Sequence, residues 1–164
     1  MKNLNKNSDH GLMLVEILIA TSIILVFLLA LLGTHNLYLK TAFVNGDVIK
    51  GVYLVEEGVE VARFLRNSSW SGNIAPLSLD VSYSLLFDAG SWQAATTTVW
   101  VDNNFKRVVK FSAVYRDVSG DIVSSGGTLD PNTLLVVSSV SWPTSGGATT
   151  TKSISTYLTN LFSN

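Results

Sequence analysis

From Ile17 to Leu39 the chain carries no Lys, Arg, Asp or Glu, and apolar side chains fall on every face that a helix would present. At 1.5 Å of rise per residue these ~23 positions reach about 34 Å, enough for a hydrocarbon core ~30 Å thick, so the pattern predicts a membrane-spanning helix. Near Leu37 the pattern changes. Leu37, Val44, Val48, Val52, Val55, Val59 and Ala62 recur at spacings of three and four, with Thr41 filling the gap, which predicts one apolar stripe on an amphipathic helix. Lys40, Asp47, Lys50, Glu57 and Glu60 lie mostly off that stripe, and Glu60 stands one turn before Arg63. Residues 12–66 together predict one helix of about 55 residues, or ~82 Å. Asn67-Ser68-Ser69-Trp70-Ser71-Gly72-Asn73 ends it with residues that favour caps and turns.

Beyond this point the period falls to two. Leu79, Val81, Tyr83 and Leu85 alternate within 77–87, and 97–101 predicts a short strand. Phe105, Val109, Phe111, Ala113 and Tyr115 alternate against Lys106, Lys110, Ser112 and Arg116, which predicts a half-buried strand. Asp117-Val118-Ser119-Gly120-Asp121 turns the chain into a short return at Ile122-Val123. After a loop over 126–132, Leu134, Val136, Val140 and Trp142 share one face; 143–148 reads as a hairpin loop, and 149–158 returns with Ile154 and Leu158 inward. An antiparallel sheet of three to five strands has one apolar face to cover, and the amphipathic half of the helix has one stripe to bury. The expected fold class is therefore α+β, a long N-terminal helix whose second half packs on the sheet.

The helix contains Gly33, Gly46, Gly51 and Gly58, each costing about 1 kcal/mol of helix propensity relative to Ala. Either neighbouring structure holds the helix regardless, or the glycines let something approach closely. Composition narrows the field further. With 164 residues there is room for one modest domain besides the helix, and the 47% hydrophobic content is raised by the apolar run. Cysteine is absent, so no disulfide staples the domain.

One acidic residue changes the functional picture. Glu16 stands at the mouth of the apolar run, where an unpaired carboxylate costs several kcal/mol, and no Lys or Arg lies within two turns after it. A cut after Gly11 would supply a cation, because the new α-amino group of Leu12 would sit one helical turn before Glu16. A short basic leader ending in Gly, an apolar residue, Glu at the fifth position of the cut chain and a long apolar helix resemble the class III signal of type IV pilins and type II secretion pseudopilins. The likeness covers residues 11 to about 36 closely and the remainder in layout only. Leu12 stands where Phe or Met is commonest in that family, and Gly33 where related pilins often carry proline.

The resemblance implies a prepilin-like filament subunit with three parts: a cytoplasmic leader (1–11), a long helix (12–66, of which about 12–36 spans the membrane or forms a filament core) and an extracytoplasmic sheet head (67–164). It implies cleavage between Gly11 and Leu12, N-methylation of Leu12, and pairing of Glu16 with a neighbour's amino terminus during assembly. Partners implied are a prepilin peptidase and methyltransferase, other pilin or pseudopilin subunits, an assembly platform with its ATPase, and the membrane before assembly. Lys2 and Lys6 in the leader favour a cytoplasmic N-terminus and an outside C-terminus. Removing Lys2, Lys6 and Asp9 from 11 basic and 12 acidic side chains leaves 9 and 11, which points to no polyanion-binding surface. The reading from another class is an uncleaved single-pass anchor carrying an extracellular binding or adhesion domain.

Enzymatic chemistry has little to draw on. After cleavage His35 is the one histidine, at the outer end of the membrane segment, so no serine or threonine of the head has an activating base of the usual kind. No catalytic residue, cofactor or metal is expected. Asp102-Asn103-Asn104 and Asp117 with Asp121 offer oxygen ligands without an EF-hand spacing, and turn formation accounts for them. Lys106, Arg107 and Lys110 form a small basic cluster, but the head carries five basic and six acidic residues without aromatic interleaving, so nucleic acid is not an expected partner.

Overall fold

The computed structural model describes residues 8–144 and 147–161, with side chains from residue 13 onward. One helix, α1, runs from Ser8 to Ser68, and the chain divides at Gly46/Asp47 into two compact units. In the second unit the end of α1 packs on seven antiparallel strands, giving an α+β fold. These are β1 (Ser82–Asp88), β2 (Ser91–Ala95), β3 (Trp100–Val101), β4 (Phe105–Arg116), β5 (Ile122–Val123), β6 (Thr128–Pro143) and β7 (Thr149–Thr159). The spatial order is β2-β1-β4-β6-β7, with the two-residue strands β3 and β5 also paired to β4.

The sheet exceeds the expected three to five strands because turn chemistry adds short pieces. Ala89 and Gly90 both take positive φ, the requirement of a two-residue hairpin turn, and so fold Ser91–Ala95 back on β1. Asp102 and Asn103 do the same between β3 and β4, which accounts for the Asp-Asn-Asn run as a turn.

The core forms between α1 and the inner sheet face. Val61, Ala62 and Leu65 meet Tyr83, Leu85, Val109, Phe111, Val136 and Leu158, while Leu54 and Val55 meet Phe105, Val140 and Trp142. Each such fully buried aliphatic or aromatic side chain contributes about 1.5–3 kcal/mol. Val55, Val59 and Ala62 of the expected stripe are buried, but within the head the stripe is rotated, with Val52 exposed and Gly51 and Gly58 buried at its centre; Leu37 and Val44, in the first unit, are exposed. The bulk comes from the sheet. A Cβ on Gly51 would stand 2.5 Å from the Trp142 ring, and one on Gly58 would run into Ser138 Oγ. Within the chain, close approach accounts for Gly51 and Gly58, while Gly33 and Gly46 have nothing within 4 Å.

Period two holds where the helix covers the sheet, and fails past its edges. Phe105, Arg107, Val109 and Phe111 point inward, but the β4–β6 register shifts between Ala113 and Val114, after which Val114 is buried and Tyr115 exposed. Leu79 and Val81 precede β1 and are exposed, against the expectation. Ile154 shares the inner face with its cross-strand neighbour Ser138, yet is 45% exposed because the edge strand β7 extends beyond the helix's cover; Leu158 is buried as expected. The helix ends at a single π-helical turn, Trp70–Ile74, where Ser69 Oγ accepts from Gly72 N–H and the Asn73 side chain donates to Leu65 C=O.

Candidate functional site

In the first unit, α1 is apolar on all sides, and every described side chain from Met13 to Phe43 is exposed. Its serine and threonine hydroxyls bond back to the helix. Thr21 and Ser22 donate back to Leu18 C=O at 3.1 and 2.7 Å, Thr34 to Ala30 C=O at 2.9 Å and Thr41 to Leu37 C=O at 3.0 Å. With backbone groups paired along the helix and the serine and threonine hydroxyls paired within it, the segment meets the backbone condition for residing in lipid. It is the one helix among the described residues long and apolar enough to cross a membrane.

Glu16 is the exception in this sleeve. Its side chain is exposed, and among the described residues it has no ion-pair partner within the chain. Gly11 and Leu12 lie in the first turns of α1, with Leu12 one turn before Glu16, and the Leu12 side chain falls outside those described. His35 is exposed on the same segment, and among the described residues no group of three or more His, Cys, Asp or Glu is placed to hold a metal.

Within the second unit the three expected basic neighbours separate. Lys106 and Lys110 lie on the outer sheet face, where Lys110 Nζ is 3.6 Å from Asp80 Oδ1. Arg107 belongs to the inner phase of β4 and is 4% exposed; it pairs with Glu57 of α1, donates to Leu85 C=O at 3.2 Å and lies over the Trp92 ring. The basic cluster therefore does not exist as a surface. Its inward member was legible, because Arg107 falls between Phe105 and Val109 in the alternation. Asp117 Oδ1 accepts from the backbone N–H of Ser119 and Asp121, and Asp102 pairs with Lys50, so both acidic runs serve turns and a helix contact.

Beside the Arg107–Glu57 pair an open groove of about 570 Å³ runs between α1 and the β1–β2 hairpin, lined by Phe64, Phe87 and Trp92 with Glu60 and Arg63 at its rim. Its carboxylates are engaged in ion pairs, Glu57 with Arg107 and Glu60 with Arg63. The exposed apolar segment with its single carboxylate is the feature in need of partners. No family model, curated protein or solved structure matches this chain.

Proposed function

We propose that the chain is a prepilin-like structural subunit, anchored by α1 in the cytoplasmic membrane with its sheet head outside and then assembled into a type IV pilus or secretion-type filament. A peptidase cuts after Gly11, Leu12 is N-methylated, and an assembly platform driven by its ATPase extracts the subunit so that apolar helices bundle as the filament core. The observation that carries this reading is one carboxylate, Glu16, with no ion-pair partner among the described residues, at the mouth of an exposed apolar segment. A charge in that position is costly in lipid unless a cation meets it. In a helix bundle the neighbour's Leu12 amine supplies that cation, and apolar surface that lipid or water covered is covered by other helices.

The test is Glu16→Gln. Neutralising this side chain makes membrane insertion easier by up to a few kcal/mol, so a defect cannot be assigned to failed insertion. Incorporation into sheared filaments should fall while membrane abundance is unchanged, since the neighbour's amine is left buried without a counter-ion. A variant-to-wild-type ratio near one in filaments, at equal membrane abundance, would overturn the pairing.

A further inference from the structure

The sheet ends at an unguarded edge. β7 is eleven residues long, and among the described residues no strand pairs with its outer side. Proteins usually blunt such an edge with prolines, bulges or charges; Thr149–Thr159 has no proline, keeps an unbroken register with β6, and carries Lys152 as its one charge. The direction of its free backbone groups follows from the ladder. Asn160 N–H donates to Asn132 C=O at 2.8 Å, so the even-numbered residues of β7 direct their backbone groups at β6, and Thr151, Ser153, Ser155 and Tyr157 direct theirs outward.

We infer that this edge pairs with β7 of a second copy, antiparallel about a two-fold axis at Ile154. The sequence Thr151-Lys152-Ser153-Ile154-Ser155-Thr156-Tyr157 matches itself in that register. Ser153 faces Ser155 and Thr151 faces Tyr157, and these hydrogen-bonding positions are the ones whose groups point outward. On the inner face Lys152 lies opposite Thr156, so like charges do not meet, and the two Ile154 side chains, each 45% exposed in the single chain, cover one another. This is an isologous contact that closes on itself.

The axis also fixes which copies meet. Gly51 lies against Trp142 and Gly58 against Ser138, so the helix of the head runs opposite to β6 and in the direction of β7. Antiparallel β7 strands therefore place the two helices antiparallel, and the chain enters the paired heads from opposite ends. The contact joins two heads whose packed helices run in opposite directions. It requires neither leader cleavage nor filament assembly.

The absence of cysteine gives a direct test on the full chain in detergent. Opposed residues of a non-hydrogen-bonded antiparallel pair have Cα atoms about 4.5 Å apart, within the span of a disulfide. Under mild oxidation Ile154→Cys should give a covalent dimer. Lys152→Cys and Thr156→Cys chains should cross-link when mixed, at least ten times more than either alone, because each lies about four residues from its own copy. Adding Ser155→Pro, which removes an outward N–H without touching the β6 ladder, should abolish all three products while near-ultraviolet circular dichroism is retained. Equal cross-linking of mixed and single chains, or no mixed product from folded protein, would overturn the proposal.

Discussion

Placing a methyl group at Gly58 tests how the helix and sheet approach each other. An alanine there gains about 1 kcal/mol of helix propensity, and Gly58→Ala in an open helix would be stabilising. Here its Cβ runs into Ser138 Oγ and lies 3.2 Å from Ser138 Cβ and 3.4 Å from Val109 Cγ2. Ser138 and Val109 are both fully buried, so neither has space to withdraw, and overpacking costs about 1–3 kcal/mol. Gly58→Ala should therefore destabilise by up to ~2 kcal/mol. Ser138 Oγ has no hydrogen-bond partner among the described residues, so Ser138→Ala should stabilise by about 1 kcal/mol through loss of an unsatisfied buried hydroxyl. In the Ser138→Ala background the closest clash disappears, and Gly58→Ala becomes neutral to mildly stabilising, a coupling of about 1–2 kcal/mol. The assay is thermal unfolding of a soluble fragment starting at Leu37, followed by tryptophan fluorescence, in which 1 kcal/mol moves the midpoint by about 4 °C. That fragment contains the whole compact unit Asp47–Asn164 and should fold without detergent. Equal destabilisation by Gly58→Ala in both backgrounds would refute the assignment of the clash to the hydroxyl.

Two further predictions concern the charges of the head. Glu57→Gln leaves the Arg107 guanidinium buried with Leu85 C=O as its chief acceptor and should cost about 1–3 kcal/mol, less than a fully buried pair because the Glu57 side chain is 41% exposed. Arg107→Met combined with Glu57→Gln should recover much of that loss in the same melt; no recovery would show that the pair matters through something other than an uncompensated charge. The Arg116 guanidinium holds the Asp130 carboxyl below its usual range, helped by Thr133 and the Asn132 N–H. Because the folded-state value is depressed, this stabilisation is fully present above the ordinary carboxylate value near 3.8 and is lost as pH falls through the folded one. The stability gap between wild type and Asp130→Asn should be flat from pH 5 to 7 and close below about pH 4, and a gap independent of pH would contradict it.

The long strands were legible because one physical rule governs them: β4 and β6 cross beneath a helix, and alternation reports burial wherever a cover exists. The same rule misplaced Tyr115, where the register shift after Ala113 inverts the alternation, and Ile154, where the strand runs on past the helix's cover. In the helix, valines marked an approximate stripe, yet the deepest contacts fall on Gly51 and Gly58. Apolar counting cannot see a contact in which the partner, Trp142, supplies all the volume. The hairpin strand β2 went unread because Ala89-Gly90 is a weaker turn signal than Asn-Gly, and Ser91–Ala95 is short and lacks β-branched residues. At the candidate site, the spacing of Leu12 and Glu16 was plain in the sequence, and the structure adds the helical turn between them and the exposure of Glu16.

Removal of the leader separates a prepilin from an uncleaved anchor. The full chain, produced together with an active prepilin peptidase, should be recovered from the membrane with Leu12 as its first residue and one methyl group on the new amine, by intact mass and N-terminal sequencing. Replacing Gly11 by a bulky residue should leave the same membrane fraction starting at Met1. Wild-type protein that keeps residues 1–11 while the peptidase trims a known prepilin in the same cells would contradict the account.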